Sequence, residues 1–66
     1  MYKCISFLEK SDDPVAKHIE LQFDEYFNDM DDAVIDNTQV VSTTYVNSKG
    51  ETVYQDIMYV WYHIDQ

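Results

Sequence analysis

Three kinds of hydrophobic pattern follow one another along the chain. The opening run YKCISFL mixes aromatic and β-branched side chains and predicts a strand. SDDP follows, in which Asp12 or Asp13 can accept hydrogen bonds from the unpaired amides of a helix start while Pro14 suits its first turn. From there Val15, Ile19, Phe23, Tyr26 and Met30 recur every three or four residues and form one apolar stripe, with Phe27 at its margin. Lys17, Glu20, Asp24, Asn28 and Asp31 fall on the opposite side, and so does Leu21. Two β-type runs, TQVVSTTYV and ETVYQDIMYVWYHI, close the chain around NSKG. That tetrapeptide predicts a hairpin turn in which Gly50 takes a positive φ and Asn47 pairs with Glu51.

This register sets Val41 opposite Ile57 and Tyr45 opposite Val53 on one face of the hairpin. The other face receives Val40, Val46, Tyr54, Met58, Val60 and Tyr62, around Ser42, Thr44 and Asp56. A right-handed strand-helix-strand crossover leaves the first two strands parallel, and the third, antiparallel to both and the most apolar, fits between them. The expectation is a single α+β domain spanning residues 1–66, β-α-β-β, with a three-stranded antiparallel sheet in the order 1-3-2 and one helix packed on one face. Its two edge strands would be free to extend the sheet across a dimer.

One helix can shelter only one face of such a sheet. A face permanently in water should alternate toward polar residues, yet both faces here are substantially apolar. The last strand adds Tyr59, Trp61 and Tyr62, large side chains that dominate interface energetics. These three are the candidate residues of a dimer or second interface.

Charge sharpens the picture. Thirteen acids oppose four lysines and no arginine, a net charge of −9. Residues 9–36 alone hold ten carboxylates against Lys10 and Lys17, a net −8. Such a field repels nucleic acid and anionic lipid and attracts basic proteins. Direct nucleic-acid and membrane contact are therefore not expected, and a protein partner with a basic surface is. No apolar run reaches the length of a membrane span, and no signal-peptide pattern opens the sequence, so a cytoplasmic setting is expected. The lone Cys4 excludes an internal disulfide and reads as a buried thiol of a reducing compartment.

Candidate chemistry is sparse. A calcium loop counted from Asp29 would need glycine sixth and glutamate twelfth, where the chain has Val34 and Val40. Two separated histidines, His18 and His63, do not make a zinc site, and the hydroxyls of Ser42, Thr43 and Thr44 have no histidine at a recognisable spacing. No enzyme, metal or cofactor is expected. The stretch FNDMDDAVID, however, crowds Asp29, Asp31, Asp32 and Asp36 where a helix ends, and each carboxylate there costs roughly 0.3–1 kcal/mol against the helix dipole. With Glu20, Leu21, Asp24 and Glu25 they form the candidate partner-binding set, Leu21 being a natural apolar anchor in a charged surface. Three readings of the acidic side follow: a solubilising surface, a docking surface for a basic groove, or a repulsive surface that excludes wrong partners while the aromatic sheet binds.

The stretches YKCISFLE, IELQFDEYF, VIDNTQVVST and YVNSKGETVYQDIMYVWY together resemble a family of small acidic proteins of Gram-positive bacteria and their phages that carries a sporulation annotation. The resemblance spans nearly the whole chain at the level of pattern. It implies the β-α-β-β fold and a bacterial or phage setting, and it brings no activity with it; Asp29, Asp31 and Asp32 exceed its pattern. By analogy with small acidic phage proteins, the expected function is a non-enzymatic module, an inhibitor that engages a basic, nucleic-acid-binding host or defence protein through its acidic helix. The competing expectation is a homodimeric assembly module that binds through the aromatic sheet, with its charge serving solubility.

Overall fold

The structure, a computed structural model, describes residues 2–13 and 17–65. Its elements are β1 (Tyr2–Lys10), α1 (Ile19–Phe27), β2 (Ala33–Val46) and β3 (Thr52–Ile64). The strands form one antiparallel sheet in the order β1-β3-β2. This is the expected β-α-β-β topology, with the most apolar strand in the centre.

The turn chemistry fixes the hairpin register. Gly50 takes φ 79°, a conformation that costs a residue with a Cβ about 1–2 kcal/mol. The Asn47 side-chain oxygen accepts from the amides of Lys49 and Glu51, and the Asn47 amide donates to the Glu51 carbonyl at 3.0 Å. Val41 then opposes Ile57 and Tyr45 opposes Val53, as the sequence predicts. One irregularity interrupts the ladder, a bulge at Asp36 that shifts the pairing by one residue, so that Ile35 meets Tyr62 and Ala33 meets Ile64.

The helix is shorter than its pattern. It runs over nine residues from Ile19; Pro14 and Val15, assigned to its first turn by the sequence, lie outside the described residues. Asp12 and Asp13 do not cap it: Asp12 lies in a turn after β1, and the Asp13 amide donates to the Lys10 carbonyl. The first helical amide, that of Ile19, is instead satisfied from across the fold by Glu9 Oε1 at 2.7 Å. At the other end, Asn28 closes the helix and the Met30 amide bonds back to the Phe27 carbonyl. Met30 and Asp31 therefore stand beyond the helix, where three aspartates next to its negative end favour an early stop.

Ile19, Phe23, Tyr26 and Phe27 turn toward the sheet. Phe7 on β1 meets Phe23 and Tyr26 edge-on, and Tyr62 on β3 meets Tyr26 and Phe27 in the same way. The hydroxyls of Tyr26 and Tyr62 lie 3.0 Å apart, and this bond raises the pKa of the Tyr26 hydroxyl. Gln22 donates to the Leu8 carbonyl at 2.7 Å, which ties the helix to the outer edge of β1. Among the described residues the buried core is Phe7, Val53, Val60 and Tyr62.

So small a core leaves an extended shape. The radius of gyration is 14.3 Å, where a compact chain of this length would have about 11 Å. The accessible surface is 5018 Å², against roughly 4,400 Å² for a folded monomer of this mass. The long hairpin accounts for the excess, reaching past both the helix and β1.

Candidate protein-binding surfaces

Strand alternation and register divide the sheet into two faces. The helix covers the one carrying Phe7, Met58, Val60 and Tyr62. The opposite face carries the cross-strand rows Leu8–Ile57–Val41, Ser6–Tyr59–Gln39 and Cys4–Trp61–Asn37. Tyr59 and Trp61 stack there at 6.1 Å with their planes tilted by 30°. The face named by Val41 and Ile57 is thus the one without the helix; at its hairpin end Val53, opposite Tyr45, is buried, while Ile57, Tyr59 and Trp61 are half-buried. Tyr62, grouped with Tyr59 and Trp61 by the sequence, belongs to the core instead: it is next to Trp61 in a strand, points the other way, and is 4% exposed. Cys4 departs from expectation as well. It is exposed, because its position opposite Trp61 sets it on the uncovered face of an edge strand.

The acidic residues form a less continuous surface than a longer helix would give. Glu20 and Asp24, one helical turn apart, line a shallow groove of about 310 Å³ between α1 and the sheet, with Phe23, Thr38 and Met58. Leu21 is 47% exposed beside them. Glu25 is taken up within the chain, its two oxygens 2.9 and 2.7 Å from Lys17 Nζ. Asp29, Asp31 and Asp32 occupy the turns that follow the helix. Asp36 leaves the group altogether: on the bulge of β2 its carboxylate lies 2.9 Å from His63 Nδ1, on the strand beyond. Tyr2 meets the His63 ring edge-on.

Sequence reasoning missed Asp65. The Asp65 amide donates to the Asp32 carbonyl at 2.8 Å, which joins a further acidic residue to Asp32 through the backbone. An unbroken register would have set Asp32 one residue further along β3, and nothing local in VIDNT announces the bulge that moves it. Thr38 and Met58 join the groove for a similar reason, since only the packing angle of the helix brings them beside Glu20 and Asp24.

Four carboxylates are taken up within the fold. Glu9 binds the Ile19 amide and faces His18 at 3.3 Å, Glu25 has Lys17, Asp36 has His63, and Asp56 accepts from the Ser42 hydroxyl at 2.7 Å. Among the described residues no cation lies within ion-pair distance of Glu20, Asp24, Asp29, Asp31 or Asp32 on the helix side, nor of Asp12, Glu51 or Asp65 elsewhere. Nor is any group of three or more His, Cys, Asp or Glu placed to hold a metal ion, and no described helix is long and apolar enough to cross a membrane.

The Glu9 contact has a measurable consequence. Its pKa is lowered first by the Ile19 amide, then by the hydrogen bond to His18. A lowered carboxylate contributes stability that is complete above its ordinary value of 4.5 and drains away as pH falls through the folded value. The melting temperature of the native chain should exceed that of Glu9→Gln near pH 6, and the gap should close as the pH falls below 4.5 through the lowered folded value. A gap that persists unchanged in acid would show that the carboxylate does not hold the helix start.

Compared with known protein families, curated proteins and solved structures, the chain matches none.

Proposed function

We propose that this chain is a non-catalytic protein-binding module that engages a basic partner through its helix side, as an inhibitor occupying a surface that would otherwise hold nucleic acid. The observation that carries the reading is that five carboxylates with no cation partner among the described residues, Glu20, Asp24, Asp29, Asp31 and Asp32, gather on the helix and the turns after it, in a chain of net charge −9. Close negative charges repel one another in the free protein, by about 0.2–0.5 kcal/mol for a pair one helical turn apart. A basic partner turns that repulsion into attraction.

Details of the surface support the same reading. Exposed Leu21 beside Glu20 and Asp24 supplies an apolar anchor within a charged surround. The groove of Phe23, Thr38 and Met58 beneath those acids suits the aliphatic stem of a lysine or arginine whose charged head meets a carboxylate. The sequence pattern adds a bacterial or phage setting, with a host or defence protein as the target.

A second reading has its own observation. The open aromatic face with Tyr59 and Trp61 suits an assembly module that binds through its sheet, charge serving only solubility. Competition separates the two. A basic protein captured from a bacterial lysate on the immobilised chain should be released by duplex DNA if the acidic side fills a nucleic-acid groove. Retention through excess DNA would remove that reading.

A further inference from the structure

We infer that the uncovered sheet face is occupied by a second copy of this chain, packed face to face so that the two helices lie on the outside. The inference is independent of any basic partner, because it concerns the opposite side of the sheet.

The distribution of charge argues for self-pairing. Of the thirteen carboxylates, those on β1 and β3, Glu9 and Asp56, point to the helix side, since Glu9 pairs with Asp56 and Asp56 with Ser42. Asp36, at the bulge, reaches the face opposite the helix, where His63, two residues from Trp61 on β3, holds it at 2.9 Å. The remaining acids lie on the helix, in turns, or at the end of β3. Lys10 is on the uncovered face, its ammonium 5.8 Å from the centre of the Tyr45 ring. The charged groups of that face are thus one lysine laid against a ring and one aspartate held by a histidine, so a basic or acidic partner finds little to recognise there. Two copies of the same chain do: they bring together their least charged surfaces and keep two bodies of charge −9 on opposite outer sides.

Shape agrees. Ile57, Tyr59 and Trp61 form a ridge along the central strand, and the smaller Ser6 and Cys4 flank the two aromatics on the β1 side. Sheets stacked at about −30° interdigitate such ridges and shoulders at a spacing of about 10 Å. The three-stranded part is nine residues long, roughly 30 Å by 14 Å at standard strand dimensions. That is about 400 Å² in projection per copy, and with side-chain relief a pair approaches the ~1,000 Å² total at which specific interfaces begin.

The meagre core argues that the occupant is always at hand. A chain whose described core is four side chains needs further burial whenever it is folded. A sister copy is present from synthesis onward, whereas an outside target is not.

Sedimentation equilibrium on the full chain tests this directly. The native protein should weigh twice its 7.9 kDa at micromolar concentration, with Trp61 emission shifted to the blue and Cys4 slow toward a thiol reagent. Gln39→Glu and Asn37→Glu each put a carboxylate beside the ridge at an exposed, already polar position. In either variant that keeps its circular dichroism, the mass should fall to that of one chain, Trp61 should shift to the red and Cys4 should react faster. A single-chain mass for the native protein, or a dimer that persists in both variants, overturns the proposal. Asp24→Lys with Asp31→Lys should leave the mass unchanged, so loss of a basic partner without loss of the dimer counts against the functional reading alone.

Discussion

Replacing Phe7 by alanine should unfold the chain or remove most of its stability. Phe7 is one of four buried side chains among the described residues, and its ring meets both Phe23 and Tyr26 at 6.2 and 5.7 Å. A phenylalanine truncated to alanine in a core costs about 3–5 kcal/mol. A domain of this length has only about 3–10 kcal/mol in total. The same ring joins α1 to β1, so the truncation would also take away the main apolar support of the helix. Val46→Ala provides the comparison, because Val46 is 66% exposed near the hairpin turn; its effect should stay within about 0.5 kcal/mol. Urea unfolding followed by far-UV circular dichroism measures both. Equal midpoints for the two variants would mean that the helix-sheet packing is not what holds the fold together.

Much of this fold is legible in the sequence for identifiable reasons. Asn47 and Gly50 fix a particular turn, the turn fixes the register, and the register sorts every side chain of β2 and β3 onto a face. Strand order follows from the short connection between those two strands and from the apolar character of the last. The helix limits are another matter. Its start is set by Glu9, ten residues upstream on a neighbouring strand, a contact that no local capping signal reveals. Its end comes at Phe27 although the apolar stripe continues to Met30, because the aspartates after it oppose further turns.

The candidate sites were legible to a different degree. Local pattern identifies Glu20, Leu21 and Asp24 because helical spacing survives any small change in helix length. Asp36 resembles its neighbours in sequence and departs from them in space, since the bulge hands it to His63. Tyr62 and Trp61 are adjacent and both aromatic, yet alternation sends one into the core and leaves the other on the open face. Composition alone cannot separate such a pair; a definite choice of covered face can.

Reversing Asp24 and Asp31 together should cost about a hundredfold in affinity for a basic partner. Each substitution to lysine changes the charge by two, so the net charge moves from −9 to −5. Neither side chain has a partner within ion-pair distance among the described residues, so stability should hold and the loss should fall on binding. Long-range attraction of this kind changes association rates by roughly 10- to 1,000-fold, and the effect should appear mainly as slower association. Surface plasmon resonance on a captured partner reads it, with Val46→Ala, near the hairpin turn, as the variant that leaves the charge unchanged. Unchanged association in the double reversal would remove the acidic side as the contact.

The most direct measurement is the dissociation constant of the native chain and a captured basic partner as a function of salt. Carboxylates on an exposed surface are screened within about 8 Å at physiological ionic strength and about 3 Å at 1 M. The expected result is an affinity that falls steeply from low to high salt and a slope that flattens in the Asp24→Lys, Asp31→Lys variant. An affinity indifferent to salt would contradict a contact made by the acidic side.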